Sequence, residues 1–106
     1  MVKRWNETRS LELLVCALCL DFRRRAEAIK NKSVSRRTET EFKYYNYKML
    51  DAAAEVVGER FAEIYIYEIG NNVGYAKTAV DCVSEVTYKQ YKQRIRENII
   101  RELHLA

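Results

Sequence analysis

Leu11, Leu14, Val15, Leu18, Phe22 and Ile29 recur at helical spacing and predict a first helix over about residues 9–31. Asn6, Thr8 or Ser10 offers a side chain able to cap its start. The first half also carries Leu13, Cys16, Ala17 and Leu20 on its other side, so it should be buried nearly all round, by neighbouring helices or by a second copy of the chain. Its second half is basic and should be exposed. Asn31 to Arg37 is short and polar, a stretch that competes for backbone hydrogen bonds and stops helices. A second helix follows over about 37–57, with Phe42, Tyr45, Met49, Ala53 and Val56 in one stripe and Gly58 as terminator. The two helices should pair as an antiparallel hairpin.

From Glu59 to Val73 two periods compete: Phe61, Tyr65, Ile69 and Val73 fit a helix, while Ile64-Tyr65-Ile66-Tyr67 alternates like a strand. Nothing else in the chain offers a strand partner, and a lone strand leaves its backbone unpaired, so the helix is preferred. Asn71-Asn72-Val73-Gly74 ends it, with Gly74 free to adopt a positive φ. A short helix over about 76–82 and a break at Val83-Ser84 come next. Ser84 caps a last helix over about 85–104, lined by Tyr88, Tyr91, Ile95, Ile99 and Leu103. The expected fold is all-α, with about five helices in one domain spanning 1–106. A helical hairpin over 9–57 precedes a helix-turn-helix region over 59–104.

Composition narrows the class. Among 106 residues there is no proline and there are three glycines, which nearly excludes an all-β sandwich. Apolar residues make up 48% and charged residues 32%, ordinary globular proportions that exclude a disordered tail. Cys16, Cys19 and Cys82 lack framework or metal-site spacing and read as buried thiols in a reducing cytosol. The apolar run Leu11 to Leu20 is interrupted by Glu12 and falls short of the roughly 20 residues of a membrane span, so a cytoplasmic chain without a membrane is expected. With one histidine, no phosphate loop and no nucleophile beside a base, no enzyme site, cofactor or metal is expected.

Charge is uneven. Residues 1–50 carry net +6, residues 51–84 net −4 and residues 85–106 net +2, giving +4 in all. Two separated basic segments suit a protein that grips a polyanion. Between Ile69 and Ile100 the elements of a helix-turn-helix occur in two registers. In one, the reading helix is about Thr78 to Ser84; it has no positive charge and carries Asp81. In the other, the helix at 76–82 supports and the helix from Glu85 reads.

The second register is favoured because it presents Thr87, Lys89, Gln90, Lys92, Gln93, Arg94 and Arg96, with Lys77 nearby. Glutamine can take an adenine edge, arginine or lysine a guanine edge, and the remaining cations phosphates. Arg23, Arg24, Arg36 and Arg37 form the second basic contact. Tyr44, Tyr45, Tyr47, Tyr88 and Tyr91, interleaved with Lys43, Lys48, Lys89 and Lys92, are open instead to use as stacking platforms for single strands, although helical spacing places Tyr45, Tyr88 and Tyr91 in the core.

Asp21-Phe22-x-Arg24-Arg25-x-x-Ala28-Ile29, then Ile69-Gly70 to Gly74-Tyr75-x-Lys77, and Ser84-x-x-Thr87-Tyr88-x-x-Tyr91-Lys92 resemble short regulatory proteins of Firmicute phages and integrated elements, in the style of the ArpU/RinA-type transcriptional regulators. The likeness covers about residues 20–105. It implies a sigma-region-4-like helix-turn-helix acting on double-stranded DNA in mobile-element gene control. The chain departs from the pattern at Lys89, where such proteins often repeat an aromatic. A homodimer through the first helix is the expected assembly. The alternative is a helical interaction module that inhibits a host protein without binding DNA.

Overall fold

The computed structural model describes the backbone of residues 2–81 and 83–105, and the side chains of 9–81 and 83–105. The chain forms α1 (Val2–Leu20), α2 (Phe22–Asn31), α3 (Arg36–Val57), α4 (Glu59–Gly70), a 3-10 turn (Tyr75–Lys77) and α5 (Glu85–Glu102). Among the described residues there is no strand, and the fold is all-α. The segment 64–67 that alternates like a strand lies wholly in α4, with Tyr65 and Ile66 buried and Tyr67 exposed.

The first helix is not one rod over 9–31. It begins by Val2, upstream of the proposed caps, and breaks at Asp21 (φ −84°, ψ −5°). The cause is Arg25, which is only 3% exposed. Its Nη2 donates to the Leu18 carbonyl at 2.7 Å, the acceptor that a straight helix would reserve for the Phe22 amide. Its Nε donates to Asn46 Oδ1 on α3 at 2.7 Å, and Asn46 Nδ2 returns a bond to the Phe22 carbonyl at 3.2 Å. Asp21 balances the buried charge 3.2 Å from Nη1. The bend therefore fixes where α2 meets α3.

Of the hairpin expected over 9–57, only α2 pairs with α3; α1, the first half of the expected first helix, packs on α4 and α5 instead. The α2–α3 turn closes through Lys32 at φ 50°, with the Ser33 amide donating to the Ala28 carbonyl, and Ser35 Oγ caps α3 by accepting from the Thr38 amide. Gly58, at φ 83°, stops α3 and lets α4 start at once.

One hydrophobic cluster draws on all five helices, with Val15, Cys19, Phe22, Met49, Ile66, Ile69, Ile95 and Ile99 at its centre. It covers only one side of α1: Leu13, Leu14 and Leu20 stay 60%, 43% and 58% exposed, so burial all round is not achieved within the chain. α4 ends at Gly70, just ahead of the expected Asn71-Asn72-Val73-Gly74 stop, but the positive φ falls on Asn72 (54°), while Gly74 stays at −87°. Gly70 is where α4 crosses α1, since a Cβ there would lie 2.5 Å from the Leu20 amide nitrogen and 2.7 Å from the Cys19 carbonyl carbon.

Both obstacles are backbone and cannot swing aside. Gly70→Ala should cost about 2 kcal/mol or more, a fall of roughly 10 °C in melting temperature. Gly74→Ala, with nothing within 4 Å of the new Cβ, should leave it unchanged or slightly raised. Thermal melts followed by circular dichroism read both; equal melting of the two variants would contradict the crossing.

Candidate nucleic-acid interface

The short helix expected over about 76–82 is replaced by the three-residue 3-10 turn and an irregular segment; among the described residues 78–81 and 83–84 none is helical. The reason is Glu68, 2% exposed on α4. Its Oε2 accepts the Ala79 amide at 2.8 Å, and its Oε1 accepts the Thr78 hydroxyl and the Tyr88 hydroxyl, the latter at 2.6 Å. Thr78 Oγ1 in turn accepts the Val80 amide at 3.0 Å. Side chains thus take backbone donors that a helix would use, and the link is held out of helix. Neither helix-turn-helix register finds its short helix, and α5 is presented from α4 across this clasped link.

Ser84 caps α5 as expected, accepting the Thr87 amide at 3.1 Å. Tyr88, Lys92, Ile95 and Ile99 face inward. Val86, Lys89, Gln90, Gln93, Arg94, Glu97 and Arg101 form the exposed face. Gln90, Gln93 and Arg94 are therefore brought together as predicted. Lys89 shares this face and pairs with Glu85 at 2.9 Å. Thr87 is half-buried in the cap, its hydroxyl 3.0 Å from that of Ser84.

Lys92 corrects the prediction. It is buried, its ammonium donates to the Val73 carbonyl at 2.7 Å, and it sits 5.0 Å from the Tyr88 ring centre. Burial, with Arg96 adding repulsion, lowers its pKa from the ordinary lysine value. It serves the link and is closed to phosphate. Arg96 is half-buried on the flank of α5, beside Arg9, Glu12, Cys16 and Asn72 in a cavity of about 360 Å³.

The other predicted cations lie apart from this face. Lys77 and Arg23 stand on the rim of a second cavity, of about 500 Å³, with Tyr67, Asn71 and Asn72, and the Arg23 guanidinium is 5.2 Å from the Tyr67 ring centre. Arg24 is held in two hydrogen bonds by Asp21, whose carboxyl is kept below the usual range by that pairing. Arg36 and Arg37 are exposed at the start of α3.

Sequence reasoning missed Glu68, although an acid three residues after Tyr65 and one before Ile69 on an apolar face was the available signal. It also missed that Asp51, Glu55 and Glu102 gather with carboxylate oxygens within 4.8 Å of one another. This group closes the cationic face at the carboxyl end of α5, where Arg101 already pairs with Glu55. Tyr45, expected in the core, is 37% exposed, whereas Tyr88 is buried as expected and Tyr91 half-buried. Cys19 is buried and Cys16 half-buried, its Sγ 3.4 Å from the Gly70 carbonyl; Cys82 lies outside the described residues. Asp81 is exposed.

Comparison with protein-family models, curated proteins and solved structures finds no match for this chain.

Burial pushes the Tyr88 hydroxyl up to about 12, helped by its bond to Glu68, raises Tyr65 as well, and pushes the Cys19 thiol up to about 12. The folded state holds these protons more tightly than the unfolded chain. Their stabilising contribution is complete below the unfolded values, about 8.5 for cysteine and 10 for tyrosine, and is lost as pH rises toward 12. In an alkaline titration followed by phenolate absorbance and circular dichroism, the phenolates of Tyr65 and Tyr88 should appear only as helix is lost; tyrosine ionisation complete before any loss of helix would contradict the packing.

Proposed function

We propose that the chain is a non-enzymatic regulator that binds double-stranded DNA through α5, of the kind found in phage and mobile-element gene control. One observation carries the reading: Lys89, Gln90, Gln93 and Arg94 share the solvent face of a capped helix whose other face packs on α3 and is tied to α4 through Tyr88 and Glu68. A helix that projects two amides and two cations from a fixed base has the donors and acceptors for base edges and phosphates. Arg96 flanks it. Lys77, Arg23, Arg24, Arg36 and Arg37 serve, in this reading, as backbone contacts outside it.

In the same proposal the chain works as a homodimer in the cytoplasm. Leu13, Leu14 and Leu20 on the open side of α1 are the observation behind it. Burying three half-exposed leucines on each copy would contribute about 3 kcal/mol per protomer, and pairing would double a modest net charge of +4. The same leucines favour one second reading, a helical module that docks on a host protein and leaves DNA alone.

A gel shift against genomic fragments separates the two readings. The DNA reading expects binding at about 50 mM salt that weakens roughly a hundred-fold by about 200 mM for four phosphate contacts. Gln90→Ala or Gln93→Ala should cost about 1–3 kcal/mol on the preferred site and little elsewhere, while Arg94→Ala should weaken all sequences alike. No shift at low salt refutes it. Sedimentation equilibrium should give twice 12.6 kDa, falling to 12.6 kDa for Leu13→Glu or Leu20→Glu. A wild-type monomer refutes the dimer.

A further inference from the structure

The electropositive centre of the molecule is the α2–α3 hairpin rather than α5. Residues 22–48 hold nine basic and three acidic side chains, a net of +6 in a chain of +4. Residues 85–102 hold five and three; there Lys92 is buried and Lys89 and Arg101 are paired, leaving Arg94 and Arg96, whereas in the hairpin Arg25 is buried and Arg24, Arg37, Lys43 and Lys48 pair with Asp21, Glu41, Glu39 and Glu102, leaving Arg23, Lys30, Lys32 and Arg36. At the tip of the hairpin Lys30, Lys32 and Arg36 are exposed and have no ion-pair partner among the described residues. Along the outer side of α3, Arg37, Thr40, Tyr44 and Tyr47 follow one another at helical spacing. Tyr44 is 46% and Tyr47 68% exposed, and Tyr45 stands edge-on to Tyr44 with ring centres 5.8 Å apart. Lys48 lies 5.9 Å from the Tyr44 ring centre.

We infer that this face of the hairpin is a binding platform for single-stranded nucleic acid. Two features select that partner. The cations at the tip attract a phosphate backbone, and exposed aromatic rings beside them offer surfaces on which unpaired bases stack. In a duplex the base faces are already stacked and closed to Tyr44 and Tyr47, so the rings discriminate against it. The platform also has an end. Beyond Tyr47 the face meets the carboxylates of Asp51, Glu55 and Glu102, which repel phosphate. The strand therefore lies between the tip and Tyr47, a run of about 16 Å along the helix. Stacking reads neither base identity nor the 2′-hydroxyl, so the chemistry is common to DNA and RNA. The platform is separate from the face of α5 and does not depend on the duplex reading.

Fluorescence anisotropy of the full chain with labelled oligothymidine and oligouridine of about 16 nucleotides, and with a mixed-sequence duplex, tests the inference. Wild type should bind the single strands, and the tighter of the two identifies the sugar. Tyr44→Ala with Tyr47→Ala should weaken single-strand binding roughly a hundred-fold, whereas Tyr44→Phe with Tyr47→Phe should stay within a few-fold of wild type. Both variants should melt like wild type, since the rings are exposed. Gln90→Ala with Gln93→Ala should leave single-strand binding unchanged, so failure of the α5 reading and failure of this one are told apart. The inference is overturned if wild type ignores both single strands, if the double alanine variant binds them within two-fold of wild type, or if it loses duplex binding to the same extent.

Discussion

A carboxylate with almost no exposed surface is costly unless its lone pairs are filled, and the placement of α5 rests on how Glu68 fills them. Three donors converge on it from two segments: the Thr78 hydroxyl and Ala79 amide of the link, and the Tyr88 hydroxyl of α5. Bonds to an ionised acceptor are among the stronger ones in a protein, so a link with almost no regular structure is nevertheless fixed. Lys92 and Tyr88 then meet at the Val73 carbonyl, and Tyr75 donates to the Val83 carbonyl at 2.8 Å. A helix anchored at its first turn in this way presents one face to solvent and no other.

Arg25 does at α1 what Glu68 does at α5. It takes a helix carbonyl out of the regular ladder, bends the chain, and ties the bend to Asn46 on α3. The hairpin that results carries its cations outward, at the tip and along α3. The acidic group Asp51, Glu55 and Glu102 separates it from the exposed face of α5. The structure thus has two distinct cationic surfaces, one rich in amides and one rich in tyrosines.

Local pattern was enough for much of this. Phe42, Met49 and Ala53 mark α3, Phe61, Tyr65 and Ile69 mark α4, and Ser84 marks the start of α5, because stripes and caps depend on neighbours within one turn or two. The break at Asp21 was invisible, since Leu18 and Phe22 keep the helical period across it, and Arg25, which takes the Leu18 carbonyl, is held inward by Asn46, far along the chain. Tyr75 to Asp81 has unremarkable helix propensity; what overrides it is a carboxylate ten residues earlier. Lys92 was misplaced for the same reason. Its position beside Tyr91 marks the edge of the apolar stripe, and only the Val73 carbonyl decides that it turns in. The grouping of Gln90, Gln93 and Arg94 was legible because it follows from the period of one helix.

Hydrogen exchange at the Ala79 and Val80 amides tests the role of Glu68 most directly. Neither amide belongs to a helix, so protection there comes only from the Glu68 and Thr78 side chains. Both amides should exchange as slowly as those in the first turns of α5. In Glu68→Ala they should become unprotected together with the start of α5, while the α2–α3 hairpin keeps its protection. Free exchange at Ala79 in the wild-type chain, or unchanged protection in Glu68→Ala, would contradict that role.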